Sequence, residues 1–197
     1  MEVNVYDFDK TIFDGDSTQK FYLYLLKKQP QIALYLPKQL FYFIPFALGR
    51  MEKTKFKEKF YSCFKIVKNI DDEVLNFWAI NTKGIKSWYY KKQQSTDIII
   101  SASPYFLLKP ICEKLGIKNL IASNVDKYTG KYSGLNCYGK EKVERLKKEI
   151  PNTIINEFYS DSFSDEPLAE LAKKSYIVHK DNLYPWWEYK RKIKNRL

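Results

Sequence analysis

The sequence predicts an α/β fold, a parallel sheet interrupted by an inserted all-helical subdomain. Three observations lead there. Apolar runs at residues 3–5, 98–100, 120–122 and 158–160 have the length of short strands, and the run at 98–100 is of the kind buried on both faces of a parallel sheet. Between the first and second runs only helical spacing is found, over a stretch too long for an ordinary crossover. Polar residues suited to chemistry stand where several of these runs end, at Asp7, Ser101 and Asp161. The expected division is a core of residues 1–16 and 95–197 and a helical insert of residues 17–94.

Taken in order, the first run ends at Asp7, where a turn should begin. Alternate side chains of extended backbone face the same way, so Asp7 and Asp9 project into one cleft. Two like charges held that close repel. The pair either shares a proton or binds a hard divalent ion such as magnesium. Asp14 to Thr18 reads as a turn with capping residues, and Phe21, Tyr22, Leu25 and Leu26 then follow at helical spacing. Helical signals continue over 32–48, interrupted by Pro37 and Pro45, and over 53–64, 71–82 and 85–94.

The run at 98–100 leads into Ser101-Ala102-Ser103-Pro104. Proline favours the first turn of a helix and serine the position before it, so Ser103 is expected to cap a helix over 105–115. A hydroxyl delivered to a helix N-terminus suits an anion, because free N–H groups and the helix dipole both favour one there. After the strand at 120–122 a small hairpin is expected over 126–134, around Thr129-Gly130. Val143 and Leu146 mark the apolar side of the next helix, which puts Lys142 near its first turn. The dipole disfavours a lysine there, so Lys142 either meets a phosphate or is one more solvated lysine of a lysine-rich chain. The run at 158–160 is followed by Asp161 to Asp165 and a helix through Leu168 and Leu171. Ligands of parallel alternating sheets bind at the carboxyl ends of strands, so Asp7, Ser101 and Asp161 should converge on one crevice.

The chain of 197 residues, 45% hydrophobic and 17% aromatic, can bury a core as one domain or one domain with an insertion. Its formal charge of +11, from 34 Lys and Arg against 23 Asp and Glu, raises the question of polyanionic partners. The lysines are scattered rather than blocked, so no nucleic acid is expected. A basic nucleic-acid-binding module stands as the weakest alternative, carried only by the tail Trp186 to Lys192. That tail reads as a packed aromatic pair before a solvated basic end. Cys63, Cys112 and Cys137 form no close pair, which argues against a disulfide framework or a zinc site. His179, the only histidine, stands at the end of an apolar run and is read as a surface residue, so a serine or cysteine nucleophile has no evident base. With no charged-then-apolar leader, a cytoplasmic location is expected.

Asp7-Phe8-Asp9-Lys10-Thr11 resembles the first motif, Asp-x-Asp-x-Thr, of the haloacid dehalogenase superfamily of phosphohydrolases. With Ser101-Ala102-Ser103-Pro104, Gly139 to Leu146, and Tyr159 to Asp165, the chain is similar to all four of that family's motifs, in order and over nearly its full length. The branch it looks most like contains phosphoserine phosphatase, with a helical cap inserted after the first motif. The resemblance implies a doubly wound, Rossmann-like core and a mobile cap. It makes Asp7 the nucleophile and Asp9 the acid that protonates the leaving group and later activates water. It puts Mg2+ on Asp7, the backbone carbonyl of Asp9 and Asp161, with Asp165 in support. Ser101 and Lys142 would hold the phosphate oxygens, with Ser103 and Thr11 at the same group. Asp16 stands where phosphoserine phosphatase has a glutamate that contacts the substrate amine, and is the candidate substrate-binding residue. Lys10 departs from the glycine of many members and adds a charge beside the site.

The function expected is a Mg2+-dependent phosphomonoester hydrolase that passes through an aspartyl-phosphate and acts on a small phosphorylated metabolite such as a phosphoserine-like compound. A second reading, a phosphatase of a lipid phosphomonoester of the phosphatidylglycerophosphate type, comes from residues 32–48. They are almost wholly apolar, with Lys38 the one charge, and too short to span a bilayer, which takes about 20 apolar residues. Flanked by Lys27, Lys28, Arg50 and Lys53, the segment suits peripheral contact with a membrane through the cap.

Overall fold

The computed structural model describes residues 2–195 and gathers the apolar runs into one six-stranded sheet. β1 (Glu2–Tyr6) lies between β2 (Ile98–Pro104) and β4 (Ile154–Ser160), with β3 (Asn119–Ser123) outside β2 and β5 (Ala172–His179) outside β4. These five strands are parallel. β6 (Asn182–Pro185), which the sequence pattern does not announce, pairs antiparallel with β5 across a tight turn in which Lys180 has φ 55°. The order β3-β2-β1-β4-β5-β6 grows outward from β1 in both directions, which is the doubly wound arrangement.

Both faces of the sheet are covered, and this is why the strands read as continuous apolar runs. Val3, Val5, Ile98, Ile100, Ile155 and Phe158 enter one core, while Tyr6, Ile99, Ala122, Tyr159 and Val178 enter the other. Between β1 and β2 the described residues form α1 (Ser17–Lys28), α2 (Leu36–Ala47), α3 (Lys53–Tyr61), α4 (Ile70–Asn81) and α5 (Ser87–Lys92), joined by short 3-10 turns. Asp16 caps α1 by accepting from the backbone N–H of Gln19 at 2.8 Å. Pro37 sits in the first turn of α2, where no donor is lost, and Pro45 close to its end. α6 (Tyr105–Lys114) links β2 to β3, α7 (Lys140–Glu149) links β3 to β4, the single turn α8 (Glu166–Ala169) links β4 to β5, and α9 (Trp186–Lys194) follows β6.

α5 packs on the sheet, and α4 packs on the loop after β1 and on α6. Trp78 of α4 meets Phe8 and Phe13 edge-on and donates its indole N–H to the Leu107 carbonyl at 2.6 Å. Tyr89 of α5 meets Tyr6 edge-on, Tyr6 stacks on Tyr159 at 4.8 Å, and Tyr159 stacks on Tyr176 at 5.0 Å. Such pairs each contribute about 0.5–1.5 kcal/mol beyond their area burial. One aromatic core therefore runs without a break from the helical insert into the sheet.

Several local expectations are corrected. The helix expected through Leu171 ends at Ala169, because Leu171, half exposed, leads at once into β5. Of the two tail tryptophans only Trp186 is packed, against Phe158 and Phe163, and Trp187 is exposed on an amphipathic α9. The region expected to form a hairpin over 126–134 is a tight turn with one isolated bridge, Val125 to Tyr132, rather than two strands. His179 is exposed at the end of β5, and the three cysteines are buried and free. No helix among the described residues is long and apolar enough to cross a membrane.

Candidate active site

The carboxyl ends of β1, β2 and β4 open into a cavity of about 510 Å³, closed on its other side by α3. Asp7, Asp9, Asp16, Ser101, Ser103, Lys142, Asp161 and Asp165 all face it. Asp7 follows directly on β1, and its backbone N–H donates to the Tyr159 carbonyl at 2.9 Å. Lys142 reaches it because the apolar stripe of α7, Val143 and Leu146, is drawn into the core and turns the first helical turn inward. The Lys142 ammonium donates to Asp7 Oδ1 at 2.6 Å and to Asp165 Oδ2 at 2.7 Å, and the Ser160 hydroxyl donates to the same Asp165 oxygen at 2.7 Å.

Thr11 lies beneath the cavity rather than in its wall. Its hydroxyl donates to Asp7 Oδ2 at 3.2 Å and accepts from the Asp161 backbone N–H at 3.0 Å, so it ties the first motif to the loop after β4. Lys10, where many members of the resembled family have glycine, adopts a left-handed backbone with φ 57°. For a residue with a Cβ that conformation costs about 1–2 kcal/mol. Its carbonyl accepts from the Lys86 ammonium at 2.6 Å.

Asp9 has a different setting. Its Oδ1 accepts from the Ser17 N–H at the start of α1 at 2.7 Å, and its Oδ2 accepts from the Ser103 hydroxyl at 2.5 Å. Ser103 therefore caps no helix. β2 runs on to Pro104, α6 begins at Tyr105 without a side-chain cap, and the Ser103 backbone N–H donates to Ser101 Oγ at 3.1 Å.

Burial raises the carboxyls that face the cavity. Burial pushes Asp7 up, with Asp165 and Asp161 adding to the rise, while Lys142 pulls it back. Burial and the Asp16 charge push Asp9 up to about 6, against its hydrogen bonds from Ser103 and Ser17. Asp161 is raised by burial and by Asp165, with Lys10 opposing. Burial works against the charge of Lys142, yet Asp7 and Asp165 outweigh it and keep the ammonium protonated.

Asp7, Asp161 and Asp165 offer only carboxylate oxygens, the donors a hard divalent cation takes. Asp165 Oδ1 is buried with no partner, and the raised carboxyls are a condition that a cation relieves. The residues fit Mg2+ in chemistry. Among the described residues no three such side chains form a ready-made cage, and Lys142 bridges Asp7 and Asp165.

Sequence reasoning missed the wall supplied by α3. Lys53, Phe56, Lys57, Phe60 and Tyr61 face the cavity, with Gln19 and Tyr138 beside them. Their spacing of three and four marks one helix face, but nothing local says what that face meets. Lys57 donates to the Ala102 carbonyl at 3.0 Å and to Asn136 Oδ1 at 3.4 Å, and burial, aided by Lys53, lowers it to about 8. Lys57 is thus a cation below pH 8 and neutral above it. KM for an anionic substrate is expected to rise as pH passes through about 8, and Lys57→Met should raise KM at pH 7 and flatten that rise. An unchanged KM–pH profile in the variant would take Lys57 out of substrate binding.

A family model of haloacid dehalogenase-like hydrolases matches residues 5–170. A histidinol-phosphatase of Neisseria meningitidis serogroup C (strain 8013) is 31% identical over 96 residues, and the match spans 43% of this chain and 43% of that relative. Among solved structures, a protein with unknown function from Bordetella pertussis Tohama I superposes with a TM-score of 0.71 at 17% identity, over 88% of either chain. A phosphoserine phosphohydrolase-like protein from Francisella tularensis subsp. tularensis gives 0.52 at 17% identity, over 89% of this chain and 86% of that one. At those identities the likeness is one of fold. The family match runs from β1 through the loop carrying Asp161 and Asp165, and the chain belongs to the haloacid dehalogenase-like hydrolase family.

Proposed function

We propose that this chain is a Mg2+-dependent phosphomonoester hydrolase working through an aspartyl-phosphate on Asp7. The observation that carries the reading is the pairing of two carboxyls in unlike environments at one strand end. Asp7 is held against the Lys142 ammonium, while Asp9 has no cation bonded to it and accepts only from the Ser17 N–H and the Ser103 hydroxyl. An Asp7 oxygen attacks phosphorus as the bond from phosphorus to the leaving oxygen breaks, and Asp9 gives that oxygen its proton. Water then attacks the same phosphorus, Asp9 takes the water's proton, and the bond to Asp7 breaks to release inorganic phosphate.

Lys142 and the Ser101 hydroxyl are the groups available to the phosphoryl oxygens. Asp7, Asp161 and Asp165, with the Asp9 carbonyl, would hold Mg2+, which neutralises charge between nucleophile and phosphoryl group when bound. The histidinol-phosphatase relative supports the phosphomonoester class. Asp16 spends one oxygen capping α1 and keeps its place on the cavity wall, which supports a secondary contact to a substrate amine. A small phosphorylated metabolite of the phosphoserine type suits a wall that holds both Asp16 and Lys57.

Release of inorganic phosphate from a panel including phosphoserine, histidinol phosphate and p-nitrophenyl phosphate tests the reading. Turnover should vanish in excess EDTA and return with added Mg2+. Undiminished turnover in EDTA would overturn the metal requirement, and no turnover of any ester with Mg2+ present would overturn the class.

A further inference from the structure

α2 is built inside out for a protein in water. Its buried residue is Gln39, which accepts from the Tyr22 hydroxyl at 2.6 Å and donates to the Phe60 carbonyl at 2.9 Å. On the opposite face Leu40 is 62% exposed, Phe41 68%, Ile44 61% and Leu48 62%, and Leu34 and Leu36 extend the patch. Single exposed apolar side chains need no account, but a contiguous helix face of them does.

The charge around this face says what covers it. From residue 17 to residue 51 the chain carries five cations, Lys20, Lys27, Lys28, Lys38 and Arg50, and no acidic residue. Lys27 and Lys28 end α1 just before the patch, Lys38 lies within it, and Arg50 follows it, all exposed. A second copy of the chain meeting the face symmetrically would set this acid-free segment against itself, cation facing cation. An anionic surface is complementary to it. At 12 residues α2 is about 18 Å long, too short to span a bilayer and suited to lying in its interface.

We infer that the outward face of α2, from Leu36 to Leu48, is a docking surface for an anionic lipid membrane, entered by Leu40, Phe41, Ile44 and Leu48 and steered by Lys27, Lys28, Lys38 and Arg50. Phe46 on the inner side of α2 stacks at 4.3 Å on Phe56, which lines the catalytic cavity. Docking therefore leaves α2 and the Phe46–Phe56 stack between the lipid surface and the cavity. It does not depend on the reaction proposed above, and its test reads binding rather than turnover.

Purified protein is sedimented with vesicles of phosphatidylcholine alone and of phosphatidylcholine with phosphatidylglycerol at low salt. Partitioning into the anionic vesicles should exceed that into neutral ones at least tenfold and weaken as salt rises. The double variant Phe41→Glu/Ile44→Glu should lose at least tenfold in partitioning. Both positions are exposed and off the cavity, so its melting temperature and its turnover of soluble esters should match wild type. No sedimentation with anionic vesicles, or equal sedimentation of the variant, overturns the inference. A concentration-dependent dimer abolished by the same substitutions would assign the face to a second copy and overturn it as well.

Discussion

Asp7→Asn is expected to lower turnover at least about a hundredfold while leaving the protein folded, the scale of loss seen when one key catalytic group is removed. Asparagine has the same shape and keeps one carbonyl oxygen to accept from Lys142 at the Oδ1 position, while the weaker bond that Thr11 donates to Oδ2 is lost. What is lost is the charge that attacks phosphorus. No other side chain is placed to replace it, since Ser101 and Ser103 have no histidine and His179, the sole one, lies outside the cavity. Initial rates on p-nitrophenyl phosphate, with a thermal melt of the same samples, decide the matter. Retention of more than about a hundredth of the wild-type rate would move the nucleophile elsewhere.

Lys142→Ala should be nearly as damaging, and in two ways at once. The ammonium lies buried between Asp7 Oδ1 and Asp165 Oδ2, so its removal leaves two carboxyls facing each other without a countercharge. Breaking a buried pair from one side costs about 3–5 kcal/mol. For a chain of this size that lowers the melting temperature by roughly 10 °C. The deficit should shrink on acidification, because a protonated carboxyl needs no countercharge and Asp7 is already pushed up. Lys140→Ala, two residues earlier and exposed on the same helix, should shift stability by under about 0.5 kcal/mol and leave turnover intact. Melts of both variants at pH 5 and pH 8 check this, and equal behaviour of the two lysines would remove Lys142 from its place in the site.

The strands and the carboxyls that face the cavity at their ends were legible because both are written locally. An apolar run followed by a turn announces β1, β2 and β4, and side-chain placement at strand ends then follows from parallel topology. Ser103 was misjudged because Ser-Pro is a good helix start in isolation, whereas here β2 continues four residues past Ile100, to Pro104, and brings the Ser103 hydroxyl to Asp9. Thr11 was expected on the phosphate because its motif says only that it is near. Its burial under Asp7 is decided by the loop after β4, which is distant in sequence. The α3 wall was invisible for the same reason, since Lys57 is held at the cavity by Ala102 and Asn136, both distant in sequence. β6 was missed because four mixed residues ending in proline show no period.

That overlooked strand settles how the sheet ends. A parallel sheet left open at β5 would present a row of unpaired amides, a template on which another chain can add. β6 turns back to cover the second half of that row, Tyr176 to His179, and it stops after four residues at Pro185, which has no N–H to offer a neighbour. Trp186 then folds into the core and pulls the chain away from the edge as α9. On this side the molecule is protected against the edge-to-edge growth that begins aggregation by a hairpin and one proline, and the part of β5 beyond β6 carries the exposed Lys173 and Lys174.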